Sequence, residues 1–373
     1  MLAQPPVWLI VIAFICAIGP LVFIHELGHY LVAKLFGVGA ETFSIGFGGE
    51  ITGWTDRSGT RWKVGWLPLG GYVRFVGDED HAGEGEQPRI QARGDRFASK
   101  SVWQRFLIVL AGPMANFVLA IVIFACFFAV LGVPRTPNMV VAVQAGTAAA
   151  SAGLRKNDRI EAVAGQPTPT FEDVQRIVAL RPGETVMLRV ARDGATALLK
   201  AKLGVHEEQD RFGQKYQVGL LGVFAAGRHL EPVPATQLIP EATRYTWVLT
   251  ATTFEGLVQI VTGRRSVEEL GGPLKMAQVA GQQASLGPFQ FVQLLALFSI
   301  NLGFINLLPV PVLDGGHLLF YAMEAVRRRP VSVQAQEWAF RGGLALLLAL
   351  LLFTTVNDLG SFGLWERLGR LIG

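Results

Sequence analysis

Only two cysteines occur in the 373 residues, so the chain has no disulfide framework. Both, Cys16 and Cys126, lie inside apolar runs and read as small hydrophobic side chains. Charge is also scarce. Asp, Glu, Lys and Arg make up 17% of the chain, against roughly a quarter in an ordinary soluble domain. With 51% hydrophobic residues and a mean hydropathy of +0.38, that scarcity excludes an ordinary soluble enzyme. No basic residue precedes the first apolar run, which is also too long for a cleavable leader, so no removable signal peptide is expected. No stretch interleaves basic and aromatic side chains on a soluble face, so the net charge of +4 does not point to nucleic acid.

What the chain does have is four long apolar runs: Val7 to Phe36, Phe106 to Leu131, Phe289 to Leu308, and Trp338 to Val356. Each approaches or exceeds the roughly 20 residues a membrane-crossing helix requires. Arg89, Arg93, Arg96, Lys100 and Arg105 crowd the approach to the second run. Arg327, Arg328, Arg329 and Arg341 fill the connection between the third and fourth. Basic flanks mark the cytoplasmic side, which leaves the amino terminus, the long middle section and the carboxyl terminus outside.

The first run contains His25-Glu26-Leu27-Gly28-His29. On a helix, the two imidazoles leave one face a turn apart, a spacing that lets both hold one Zn²⁺ while Glu26 takes a proton from the attacking water. Ionisable side chains at membrane depth cost about 2.5–3.5 kcal/mol each on insertion scales, so three together need a role. Polar packing between helices is the bland alternative. A third ligand must come from elsewhere. Counted along straight helices, His25 lies about 27 Å beyond Val7, and Asp314, after the third run, reaches the same cytoplasmic level. Two histidines, a carboxylate and an open position suit a catalytic zinc. His317 is a rival ligand, and a helix-end cap is the bland role for Asp314.

Between Glu41 and Val76 the apolar pattern alternates, with Phe43, Ile45 and Phe47 set against Trp62, Val64 and Trp66 around an Asp56-Arg57-Ser58-Gly59 turn. This predicts a β-hairpin. Gly46, Gly48 and Gly49, then Gly70 and Gly71, strip parts of it of side chains and allow another backbone to approach. The polar stretch from Asp78 to Gly94 reads as a mobile loop. Asn116 in the second run is expected to pack between helices or to touch substrate. From Asn138 to Leu203 the strand and helix order resembles a circularly permuted bacterial PDZ domain. Its groove would lie between Met139–Val143 and the helix Phe171–Leu180, and strand addition there would take a peptide. Residues from Pro232 to Leu286 read as a linker with surface helices, including Tyr245–Val261.

HELGH in the first run, AGPMANF in the second and NLLPVPVLDGG at the end of the third resemble the site-2 protease family of intramembrane zinc metalloproteases. FSIGFG, PLGGYVRF and Gly271-Gly272-Pro273 match its RseP-like bacterial branch. The resemblance implies Zn²⁺ on His25, His29 and Asp314, with Glu26 as general base. It also implies substrate contacts from Asn306, Pro309 and Pro311, and a hairpin dipping into the membrane, with Gly46, Gly48, Gly70 and Gly71 admitting the substrate backbone. The namesake of that branch cuts an anti-sigma factor and carries two PDZ domains, whereas this chain has room for one.

The expected fold is an α-helical integral membrane protein with about four transmembrane helices, a membrane-associated β-hairpin and an inserted α+β PDZ domain. Its expected segments are the first helix (1–37), hairpin and loop (38–100), second helix (101–134), PDZ domain (135–206), linker and surface helices (207–287), and third and fourth helices (288–373). The expected function is hydrolysis of a peptide bond in or beside the membrane segment of a single-span substrate, in the bacterial inner membrane. The PDZ domain is expected to be periplasmic and to meet a peptide terminus or ectodomain segment. The rival readings are a PDZ membrane adaptor with a structural metal and a transporter; the latter lacks an inverted repeat.

Overall fold

A computed structural model describes residues 5–77, 94–209, 215–227, 229–263, 266–267 and 271–361. The expected mobile loop lies outside them up to residue 93. The chain begins with α1 (Val7–Leu35), β1 (Ala40–Thr55), β2 (Arg61–Phe75) and α2 (Val102–Leu131). There follow β3 (Val133–Arg135), β4 (Val140–Val143), α3 (Ala148–Ser151), β5 (Arg159–Val163), β6 (Gln166–Pro167) and α4 (Phe171–Ala179). The strands β7 (Thr185–Arg192), β8 (Ala195–Lys202), β9 (Gly204–Gln209), β10 (Lys215–Leu220), β11 (Val223–Ala225) and β12 (His229–Glu231) come next. Helices α5 (Ala235–Val261), α6 (Pro273–Leu286), α7 (Pro288–Asn306), α8 (Asp314–Arg327) and α9 (Val333–Ser361) complete the order.

Among the described residues, α1, α2, α7 and α9 are long and apolar enough to cross a membrane. They contain most of each expected run, but α2 and α9 start earlier, at Val102 and Val333. Backbone hydrogen bonding continues a helix into polar flanks that a hydropathy count leaves out. Two compact units result. One comprises Met1–Phe124 with Gly271–Asp358, and the other Ala125–Leu270 with Leu359–Gly373.

In the first unit, α6 lies against α1 through small residues. Ala13, Ala17 and Ala280 are buried, and a Cβ at Gly281 would come within 2.7 Å of Ile10. Small side chains let helix backbones approach closely. This corrects the linker expectation for Pro273–Leu286, whose composition is mixed but whose small residues form a packing face. The buried Asp358 carboxylate on α9 accepts from the backbone N–H groups of Gly272 and Lys275, at 3.0 and 2.9 Å, and so satisfies the start of α6.

The hairpin is bent back on itself. Thr42–Ile45 pairs with Arg61–Val64 on one side and with Gly71–Arg74 on the other, while Glu50–Thr55 pairs again with the Arg61–Gly65 stretch. Two strands thus form four rungs, and Gly46, Gly48 and Gly70, all with positive φ, sit at the bends. Phe43 stacks on Trp62 at 4.3 Å between ring centres, with the Tyr30 ring of α1 against both. Asp56 secures the turn by accepting from the Ser58 and Thr60 amides and the Trp62 indole. Burial would raise its carboxyl pKa, but those donors outweigh it and hold it at about 2. A carboxyl so depressed stabilises the fold fully above its ordinary value of about 4 and loses that contribution as pH falls through the folded value. Amide exchange at Ser58 and Thr60 is therefore expected to stay slow at pH 5 and to accelerate only below about pH 3.

The second unit has a four-stranded sheet, order β6-β5-β7-β8, packed on α4 around Ile160, Ile177, Leu188 and Val190. Thr170 and Asp173 form a reciprocal capping box at the start of α4. The expected boundary at residue 206 cuts this unit short, because β11 pairs with β4 and β12 with β3. Three-residue strands carry too little alternation to be read from sequence, and their partners lie about 80 to 100 residues earlier. The same pairing corrects the expected groove: Val223–Ala225 covers Val140–Val143, so among the described residues the strand edge open to addition belongs to β11. Asp158, 1% exposed, accepts from the Arg192 guanidinium twice at 2.7 Å and from the Arg155 amide. Replacing it by alanine leaves the half-buried guanidinium only the Gly153 carbonyl and solvent, and is expected to cost about 1–3 kcal/mol. Faster amide exchange in Ile160 and Val190 would report it.

Candidate metal centre

The first site residues are placed by α1, whose i, i+4 geometry turns His25, Glu26 and His29 into a cavity of about 480 Å³. All three are buried. Asp314 arrives by a different route from the one the sequence count assumed. Helix α7 ends at Asn306, and Leu307–Leu313 turns back before α8 begins at Asp314. Gly315 and Gly316 permit that turn, since a Cβ at either would fall within 2.5 Å of the backbone of Leu307–Pro311. Pro311 packs near Gly343 of α9 and Pro309 is exposed, so both shape the turn and neither lines the cavity.

Three ligand atoms converge. His25 Nε2 and His29 Nε2 lie 3.3 Å apart, and Asp314 Oδ2 is 3.0 and 3.5 Å from them. Atoms held about 2.0–2.1 Å from one tetrahedral ion stand about 3.3 Å apart, so this trio has the spacing of zinc ligands. Asp314 Oδ2 is buried and has no hydrogen-bond donor, although both nitrogens face it. Two imidazole nitrogens and a carboxylate oxygen turned toward one point fit a cation. The Nδ1 of His29 meets the Ile108 carbonyl at 2.9 Å, which fixes the proton there and turns the Nε2 lone pair inward. Among the described residues, His317 lines the cavity but is not one of the converging ligands.

The remaining predicted residues divide. Asn306 lines the cavity, with its amide nitrogen 3.4 Å from His25 Nε2. Gly70 and Gly71 line it as well, whereas Gly46 and Gly48 serve the bend. Among the described residues, the Gly71–Arg74 segment pairs with β1 on one side only, which leaves its other edge open toward the site. A Cβ at Gly71 would approach Ser44 O at 2.6 Å, Val22 Cγ1 at 2.7 Å and Glu26 Cγ at 3.2 Å. Gly71→Ala is therefore expected to shift Glu26 and lower turnover by about 100-fold, with metal content unchanged.

Sequence reasoning missed the part played by α2. Gly28 packs on Ala111, and a Cβ at Gly112 would lie 2.2 Å from His29 Nε2. Asn116 packs between helices, one of its two expected roles: it is fully buried, with its amide nitrogen 3.1 Å from His25 Nδ1. The signal was the AGPMANF string, whose small residues sit at helical spacing.

The sequence profile of Peptidase family M50 matches residues 13–350. The chain belongs to that family. A protein of Agrobacterium fabrum named as a zinc metalloprotease is 43% identical over 361 residues, covering 94% of this chain and 96% of its own. Metalloprotease MmpA of Caulobacter vibrioides is 37% identical over 391 residues, covering 97% and 98%. Among solved structures, the PDZ domain of the SdrC-like protein from Listeria monocytogenes overlaps 26% of this chain and 94% of its own. Its identity is 18% and its TM-score 0.20, too loose a match to specify a fold. This M50 peptidase is a zinc metalloendopeptidase of the site-2 protease type.

Proposed function

We propose that this M50 peptidase spans the bacterial inner membrane and cuts a peptide bond in or next to the transmembrane segment of a single-span substrate. The process is regulated intramembrane proteolysis, of which anti-sigma factor cleavage is an example. One observation carries this reading: on a helix apolar enough for a bilayer, His25, His29 and a buried glutamate meet Asp314 in a zinc-spaced ligand trio, beside an open strand edge. His25, His29 and Asp314 would hold the ion. When bound, zinc polarises a scissile carbonyl and makes water a stronger acid. Glu26 takes the proton of the attacking water and returns it to the leaving amine. Asn306 donates to the oxygen on which charge develops. A helical substrate hides its carbonyls in its own hydrogen bonds and must unwind to be cut. The open edge of Gly71–Arg74 replaces those bonds by strand addition.

Basic flanks support a cytoplasmic position for the chemistry and a periplasmic one for the inserted domain. The free edge of β11 supports capture of a peptide terminus or ectodomain segment there. The bilayer is the remaining partner, and nucleic acid is not one. The test uses the detergent-solubilised protein and a single-span reporter, with the cut mapped by mass spectrometry. Cleavage within or beside the membrane segment, stopped by chelation and restored by zinc, is expected. Cleavage confined to soluble sequences, or untouched by chelation, refutes the reading.

A further inference from the structure

We propose, resting on the metalloprotease reading, that Asn116 of α2 is a positioning residue that accepts the Nδ1 proton of His25 and thereby fixes the tautomer and ring plane of that ligand. For His25 Nε2 to offer a lone pair to a metal, the proton of the neutral imidazole must sit on Nδ1. A buried N–H needs an acceptor. The group in reach is the Asn116 carboxamide, 3.1 Å away and fully buried, while its Oδ1 has no hydrogen-bond partner. With Nδ2 against the ring, two donors would meet and a buried acceptor would be stranded. The two ends of a carboxamide are nearly the same size. A half-turn of the amide brings Oδ1 to Nδ1–H and removes both defects at once.

His29 supplies the independent parallel. Its Nδ1 faces the Ile108 carbonyl, also on α2, at 2.9 Å. One helix thus provides acceptors for both histidines, by backbone at one and by side chain at the other. The Ser299 hydroxyl donates to the Asn116 carbonyl at 2.7 Å, which anchors that turn of α2 without involving the carboxamide.

The experiment measures zinc affinity of the full-length protein in detergent by competition with a chromogenic chelator, together with the visible spectrum after cobalt substitution. Asn116→Leu and Asn116→Ala both remove the acceptor, so failure of one to fold leaves the other. Asn116→Asp keeps an acceptor in place, and Ser299→Ala leaves the carboxamide untouched. Expected is a zinc affinity weakened by about 10–100-fold in the acceptor-less variants, with an altered cobalt spectrum, and rescue to within about threefold in Asn116→Asp. Ser299→Ala is expected to bind zinc as the wild type does. Wild-type affinity in Asn116→Leu or Asn116→Ala, or a loss in Asn116→Asp or Ser299→Ala equal to theirs, overturns the assignment of Asn116 alone. A wild-type protein that binds no zinc overturns the metalloprotease reading itself.

Discussion

Glu26→Gln is expected to reduce cleavage by about 10³–10⁴-fold while zinc stays bound. The substitution keeps the length and shape of the side chain, so the packing of α1, through Val22 and Glu26, against Gly71 is preserved. Glu26 lines the cavity but is not one of the three converging ligands. An amide cannot take the proton of the attacking water, and that is the one capacity removed. Turnover of a membrane-anchored reporter and metal content of the same preparation separate the two effects. Wild-type turnover would remove Glu26 from the mechanism, and loss of zinc alongside activity would make it a ligand.

Gly112→Ala is expected to empty the metal site. The added methyl would stand 2.2 Å from His29 Nε2 and 2.4 Å from Cε1, so the ring must leave its place. The ring has little freedom to comply, because Ile108, one turn earlier on the same helix, holds its other nitrogen. Alanine favours a helix interior over glycine by about 1 kcal/mol, so α2 itself gains. A loss of function then reflects the displaced ring and not a weakened helix. Zinc content close to zero and at least about 100-fold lower activity are expected, with the metal-free protein destabilised by no more than about 1–3 kcal/mol, the cost of a local overpacking. Gly342→Ala on α9, where a Cβ meets nothing within 4 Å, is the matched control and is expected to be neutral. Full zinc occupancy in Gly112→Ala would mean that α1 and α2 separate easily.

Much of the site was legible because its parts are local. His25, Glu26 and His29 lie within five residues, and helical periodicity alone puts both imidazoles on one face. Asp314 was reached by a count that assumed a straight helix, yet the chain ends α7 at Asn306 and turns before starting α8. Both routes end at the same residue because proline and glycine punctuate the turn where the apolar run stops. The hairpin was legible as two alternating strands, but not its doubling back, which depends on where glycines accept positive φ.

From the sequence alone come the four apolar helices, the His25/His29 pair with Glu26 beside it, and the Asp314 carboxylate that meets them. Hydropathy, helical spacing and the chemistry of His, Glu and Asp are properties of short stretches and need no partner. Only the folded chain decided which strand edge faces the cavity, that β11 rather than β4 offers the open edge, and that α2 holds both histidines from behind. Those are contacts between segments tens to hundreds of residues apart. They are set by which small residue allows two backbones to touch, and no local pattern encodes the identity of the partner.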